Sequence, residues 1–456
     1  MQVLRNREEA CALFFACQYI GAVYVPVNFR WTSGEIAYCL TDAEPRVVVY
    51  EPTTAKPIEE AVGRVGWRGE LVVVEDGGEE SEGVRRLNEL VAGVRARPID
   101  VSVDESDIAV MLYTSGTTGR PKGVLRSQRA EYAATVGQVI HHRLETRERT
   151  LGVMPLYHTM GLHTLTSMVA MNGLFVAMRE WDVKAALELI EKEGVTYLYL
   201  VPTLYQMLVE EDEARQRAKS VRKVAWAGAP MLSSLVRRCS EVFRPTVFIN
   251  HYGSTEVYIH SVYSEPCAKP GCAGEAAFHT SVRVVKADAE VRVRPDDIVR
   301  RGQTGEIVVR MGDDAFRGYH RREDATARAI RDGWYFTGDT GYVDEDGDVW
   351  VTGRVDDMII TGGENVYPVE VEEVLARHPK VKEVAVVGLP DERWGQIVAA
   401  FVVPKEPVSA EELDAFCLES KDLARFKRPR KYVFVGEIPR SSTGKVLRRL
   451  LVERGG

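Results

Sequence analysis

The stretch Ile108-Ala-Val-Met-Leu-Tyr-Thr-Ser-Gly-Thr-Thr-Gly-Arg-Pro-Lys-Gly123 decides how the rest of the chain is read. Its first half is apolar and β-prone, as expected of a buried strand. Its second half packs four hydroxyl side chains, three glycines and Lys122 into ten residues. Glycines let backbone N–H groups close on a polyphosphate, hydroxyls donate to its oxygens, and the lysine adds positive charge. A flexible surface loop would need neither a lysine nor a proline at fixed places. The run is not a Walker A loop, because no Ser or Thr follows Lys122 and Pro121 stands where a helix would begin.

Outward from this loop, β-rich runs alternate with helical ones. A helix is expected over Glu8–Ile20 and a strand over Ala22–Val25. Thr32 and Glu35 have capping-box spacing for a helix reaching about Thr41. Arg46–Tyr50, Leu71–Val74 and Tyr197–Val201 read as buried strands, and Asp182–Lys192 as a helix. Such alternation predicts mainly parallel α/β layers. After about residue 275 the pattern becomes antiparallel: Val282–Val285, Glu306–Arg310 and the hairpin Tyr342–Val351, turning at Asp344-Glu-Asp-Gly347. The last hundred residues form a separate α+β unit. It has helices from Pro368 to Arg377 and from Ser409 to about Glu419, the latter with a Ser409/Glu412 capping box. Its strands are expected at Glu383–Gly388, Ile397–Val403 and Tyr432–Val435. The boundary falls near Arg354–Asp356, giving domains 1–354 and 355–456.

At 456 residues the chain exceeds what a single core holds. Its net charge of −8 argues against nucleic-acid binding, which leaves a basic footprint. Seven cysteines without zinc spacing or a disulfide framework fit a reducing cytoplasm. Glu8 and Glu9 occupy the place of a signal peptide's basic region, and no stretch approaches the roughly 20 uncharged residues of a membrane span.

Further motifs make chemical sense individually. In Tyr252-Gly-Ser-Thr-Glu256, Tyr252 can stack on a flat base with Gly253 giving room. Thr255 can donate to a phosphate, and Glu256 is a hard oxygen ligand for Mg²⁺. In Tyr335-Phe-Thr-Gly-Asp339, Asp339 can accept from both ribose hydroxyls. In Gly353-Arg-Val-Asp-Asp357, Arg354 can donate to ribose or phosphate. Lys445 closes Pro439-Arg-Ser-Ser-Thr-Gly-Lys445, and a basic cluster, Arg425 to Lys431, interrupts an acidic protein.

Together with the loop Thr114–Gly123, these ordered motifs resemble those of the adenylate-forming superfamily. The C-terminal third is particularly similar to 4-chlorobenzoate-type and medium-chain acyl-CoA ligases. The resemblance implies a large N-terminal domain of layered α/β subdomains plus a β-rich subdomain, followed by a small mobile α+β domain. It implies ATP, Mg²⁺ and coenzyme A, and a small-molecule carboxylic acid as substrate. Thr114, Ser115, Gly116, Thr117, Thr118 and Lys122 would hold the departing phosphates, with Thr118 joining Glu256 at the metal. Gly228, Ala229 and Pro230 would wall the acyl group and adenine, beside Tyr252 and Gly253. His158 would pack against the acyl carboxylate. Lys445 would bridge the carboxylate and α-phosphate. Gly362 and Gly363 would line the thiol channel, Trp394 would pack on the pantetheine arm, and Lys427 and Arg428 would grip the CoA phosphates. Asp356 matches the hinge about which the small domain rotates.

The acyl group is not named by the sequence. Tyr157–Leu162, Tyr199–Thr203 and Tyr258 are apolar to mixed, which permits medium-chain, branched or aromatic acids and disfavours dicarboxylates. The alternatives are an enzyme that loads a carrier protein and a catalytically silent nucleotide-binding protein; a homodimer is a further expectation for the ligase. The resemblance also places Met1 inside the first βα unit, so an uncovered sheet edge or apolar patch is expected near the start.

Overall fold

A computed structural model describes residues 1–74, 84–95, 97, 99–114, 121–287, 293–362, 364–420, 422–440 and 444–455. The largest sheet changes character halfway across. Its parallel half runs Leu174–Ala177, Arg149–Gly152, Tyr197–Leu200, Lys223–Trp226 and Val247–Tyr252. These strands alternate with the helices Thr159–Ala170, Val183–Glu193, Pro202–Glu210 and Ser233–Phe243. Helices on the faces of a parallel sheet explain why the strand Tyr197–Leu200 is buried throughout. Tyr205 fastens two of the strands, its hydroxyl donating to Leu198 O at 2.9 Å and Ala225 O at 2.8 Å. A buried phenol needs such partners.

From Tyr252 the sheet continues antiparallel through Ser261–Tyr263, Cys272–Ala276, Val349–Arg354, Trp334–Val343, Gly305–Arg310 and Val282–Val285. The hairpin turns where expected: Gly347 has φ +97° and donates to Asp344 O at 3.1 Å. A left-handed residue there is best supplied by glycine. Val247–Tyr252 is thus the last parallel strand, and its carboxyl end is where the sheet turns antiparallel.

Near the start, a second sheet joins Gln2–Val3, Val47–Tyr50, Glu70–Val73 and Arg85–Arg86, all parallel. The helix Ser33–Ala43 carries the full Thr32/Glu35 capping box. Ala22–Val25, expected as a strand, is not one. Tyr24 and Pro26 make single bridges to Val110 and Gln2, since this short run passes between two sheets and joins neither ladder. The first helix, Glu8–Tyr19, leaves Phe15, Tyr19, Ile20 and Val23 exposed at and just beyond its C-terminal half.

The decisive loop joins two antiparallel strands, Ile108–Thr114 and Lys122–Ser127, which pair Thr114 with Lys122. It caps a hairpin, so the mainly parallel reading does not extend here. The third strand of this sheet, Gly318–Tyr319, runs along the outer side of Lys122–Ser127.

After Arg354 a five-stranded sheet begins, built on the long pair Val381–Asp391 and Gly395–Pro404, with Lys431–Phe434 parallel to the latter. The helices Pro368–Leu375 and Ala410–Glu419 pack on it. Ser409 accepts from Glu412 N, which is one half of the expected capping box. Among the described residues no helix is long and apolar enough to cross a membrane. All seven cysteines are free.

Candidate active site

The parallel strands deliver the candidate residues at their carboxyl ends. Leu200 is followed by Val201–Thr203, Trp226 by Gly228-Ala-Pro230, and the strand Val247–Tyr252 runs directly into Gly253–Glu256. Gly228 has φ +84°. At Gly253 a Cβ would lie 1.8 Å from Tyr258 O, so the chain can double back against its own carbonyl only as glycine.

Tyr252, Asp339 and Arg354 meet although 102 positions separate the first from the last. The Tyr252 hydroxyl donates to Asp339 Oδ2 at 2.6 Å, and Arg354 Nη1 donates to Asp339 Oδ1 at 2.6 Å and to Thr337 O at 3.0 Å. Asp339 and Arg354 face each other across the hairpin ladder. Burial, with the Asp339 charge beside it, pushes the Tyr252 phenol well above its ordinary value, so it remains a donor. A carboxylate with an oxygen on each of two donors retains lone pairs for a diol.

Glu256 is buried and its Oε1 accepts from the Tyr319 hydroxyl at 2.7 Å. Lys122 Nζ stands 4.2 Å from the Tyr319 ring centroid. Burial lowers the Lys122 ammonium's pKa, opposed by the Glu256 charge. This corner therefore sets a cation, a phenol and a hard carboxylate together. A carboxylate oxygen held beside a lysine fits Mg²⁺, which prefers one or two carboxylates plus substrate phosphates. Ser115, Gly116, Thr117 and Thr118 lie outside the described residues; Thr114 ends the strand leading to them.

His158 precedes the helix Thr159–Ala170 and its Nε2 is buried without a hydrogen-bond partner among the described residues. Burial, reinforced by the charge of Lys445, brings its pKa down to about 3. A ring that stays neutral at working pH packs and accepts rather than shuttling protons. Lys445 is near enough for this effect because its turn lies on the site: a Cβ on Gly444 would be 3.1 Å from Thr203 Oγ1 and 3.8 Å from Val201 Cγ2.

The remaining residues assigned from the sequence lie within the C-terminal unit. Gly362 has φ +61° and donates to Trp394 O at 2.9 Å, with the indole against its face. Trp394 is 41% exposed. Lys427 pairs with Glu370 at 2.5 Å and Arg428 with Asp414 at 3.3 Å, neither of which belongs to the nucleotide cluster. Asp356 is exposed two residues beyond the last strand of the large sheet, and Gly363 is outside the described residues.

Three features escaped the sequence reading. Tyr319 was not singled out, although it orients Glu256. Arg126 is fully buried behind Thr255; a lone arginine inside an apolar strand was its one signal. A buried polar cluster also underlies the motif Tyr252–Glu256. His142 Nε2 lies 3.0 Å from His251 Nδ1, Tyr199 Oη lies 2.9 Å from the same nitrogen, and His251 Nε2 lies 3.1 Å from Tyr258 O. Tyr258 in turn donates to Gln138 Oε1. Burial lowers the pKa of His251 to about 3 and holds His142 well below the usual histidine range.

A polar corner at the carboxyl end of the last parallel strand, with a lysine turn contributed by a second unit, is the arrangement the resemblance to adenylate-forming enzymes implies. Residues 2–320 match the AMP-binding enzyme family, residues 370–445 match the AMP-binding enzyme C-terminal domain, and the chain belongs to that family. It is 35% identical to the indoleacetate–CoA ligase of Aromatoleum aromaticum, over 97% of this chain and 85% of that protein. It is 36% identical to a 4-chlorobenzoate–CoA ligase of an Arthrobacter species, over 99% and 84%. The fold matches ATP-bound MatB from Rhodopseudomonas palustris with a TM-score of 0.89 at 30% identity, over 99% of this chain and 88% of that one. The chain is thus an ATP-binding, AMP-forming ligase of the acyl-CoA synthetase class.

Proposed function

We propose that this enzyme joins an aromatic or medium-chain carboxylic acid to coenzyme A through an acyl-adenylate, with residues 1–354 and 355–456 moving as two bodies. In the first half-reaction the acid's carboxylate attacks the α-phosphorus of ATP, and pyrophosphate leaves. Asp339 and Arg354 hold the ribose, Tyr252 and Gly228–Pro230 enclose the base, and Thr255 donates to the α-phosphate. The loop from Thr114 through Lys122 holds the phosphates that depart. Mg²⁺, held by Glu256 with Thr118, would offset charge on those phosphates. Lys445 places its ammonium where charge develops at phosphorus, and His158 packs beside the acid.

In the second half-reaction the CoA thiol attacks the mixed anhydride, giving thioester and AMP. Gly362, Gly363, Trp394, Lys427 and Arg428 serve this step, and rotation about Asp356 exchanges them for Lys445. The observation that supports the reading most directly is Gly444 lying against Val201 and Thr203, with the Lys445 charge felt at His158. Tyr157, Tyr199 and Tyr258, read from the sequence as candidate acyl-pocket residues, would suit a flat ring as the acyl group. The names of the aryl-acid ligases it resembles point the same way.

The test is pyrophosphate release from MgATP across a panel of aryl, branched and straight-chain acids, followed by CoA-dependent AMP release. An acid that drives both steps is expected. Pyrophosphate release without any CoA-dependent turnover would refute the ligase reading.

A further inference from the structure

Arg126 lies four residues past Lys122 on the strand Lys122–Ser127, with no exposed surface. Its Nη1 donates to two main-chain oxygens, Thr255 O and Asp314 O, each at 3.0 Å. Its Nη2 donates to Ala130 O at 3.3 Å, and its Nε donates to the Glu131 carboxylate. Glu131 neutralises the buried charge, as a fully buried arginine requires. The bonds to Thr255 and Asp314 do something further: they tie together two segments that are 59 positions apart in sequence.

Both segments converge on Glu256. Thr255 is its neighbour. Two residues beyond Asp314, Phe316 N donates to Glu256 O at 2.7 Å, and Tyr319 donates to Glu256 Oε1 at 2.7 Å. The Tyr319 ring carries Lys122, which shares its strand with Arg126. A closed circuit results: Lys122, Tyr319, Glu256, Thr255, Arg126 and back along one strand to Lys122. A planar guanidinium can hold several carbonyls in fixed relation, which a lysine ammonium on a flexible stem cannot.

We propose that Arg126 is a positioning residue for adenylation, locking the Thr255–Glu256 backbone against the strand that carries Lys122 and so fixing the metal-binding carboxylate relative to the phosphates. The proposal rests on the adenylation reading given above. It separates Arg126 from residues that only support the core, because its effect falls on Mg²⁺-dependent nucleotide binding and on the first half-reaction.

The variants are R126K, which keeps a charge for Glu131 but loses the fork, and R126M/E131L. The double variant replaces the buried pair with apolar groups of similar size, a change that buried ion pairs commonly tolerate. Three quantities are measured on the full chain. They are ATP affinity by calorimetry with and without Mg²⁺, acid-dependent ATP–pyrophosphate exchange against free Mg²⁺, and thioester formation from supplied acyl-adenylate and CoA. Losing the support of a metal ligand typically costs about 10–100-fold in metal affinity. Both variants are therefore expected to need about tenfold more Mg²⁺ for half-maximal exchange. Their ATP affinity without Mg²⁺ and their thioester step should be close to the parent's.

An unchanged Mg²⁺ requirement in either folded variant would overturn the proposal. So would equal loss in both half-reactions, the signature of a merely structural role. If the parent enzyme shows no acid-dependent exchange, the adenylation reading fails by itself. The Mg²⁺ dependence of ATP binding still reports on Arg126 in that case.

Discussion

Acidification should destabilise this protein well above the pH at which carboxylates titrate, and histidines enclosed by the fold set the size of the effect. His251 and His158 have pKa values lowered to about 3, chiefly by burial. In the unfolded chain each titrates near its ordinary value of about 6.5. The unfolded state therefore binds more protons than the native state between these limits. Stability is complete above about pH 6.5 and falls as pH falls towards 3. At pH 5 each histidine is about 1.5 pH units below its unfolded value, worth about 2 kcal/mol, so the two together cost about 4 kcal/mol. That is a large part of the roughly 5–15 kcal/mol that holds a domain folded. Urea unfolding followed by fluorescence at pH 7.5 and 5.0 measures the loss directly. His158→Asn removes one titrating ring and places a favoured residue at the helix N-cap, so it should reduce the loss by about 2 kcal/mol. Equal stability at the two pH values, or an undiminished loss in H158N, would refute the reasoning.

Lys445→Ala should lower acid-dependent pyrophosphate release by about 10²–10³, the usual scale for removing one transition-state donor, while sparing thioester formation from supplied acyl-adenylate. Comparable loss in both half-reactions would remove Lys445 from the assigned role. Gly253→Ala drives a methyl towards Tyr258 O, where no space exists, so the ATP KM should rise more than tenfold, of the order expected from a misplaced binding group; steady-state kinetics and a thermal melt separate this from unfolding. Asp356→Pro should slow the CoA-dependent step more than adenylation, read by comparing single-turnover rates of each half. Trp394→Ala should raise the KM for CoA with little change in that for ATP, and an unaltered CoA KM would exclude the indole from the thiol-delivery face.

The local chemistry of the site was legible because it is written in short, contiguous motifs. Glycines at Gly228, Gly253 and Gly362 stand where the backbone turns or is closely approached, and the Thr32/Glu35 cap and the Asp344–Gly347 turn are decided within a few residues. Ala22–Val25 misled because its apolar pattern fits a strand, whereas pairing depends on which sheets flank it. The hairpin around the glycine-rich loop was likewise hidden. A buried strand following a loop has no local mark of whether its partner runs parallel or antiparallel.

Sequence alone thus determined the family and the separate C-terminal unit, since each depends on residue type and spacing within short segments. Tertiary structure decided what those motifs share. It set Tyr252 on Asp339, Tyr319 on Glu256, the Lys445 turn on Thr203, and Arg126 behind Thr255. Such contacts arise where parallel strands end together and a second sheet folds across them. Hydrogen bonding and burial between segments tens to hundreds of residues apart are set by topology, and no single segment carries that information.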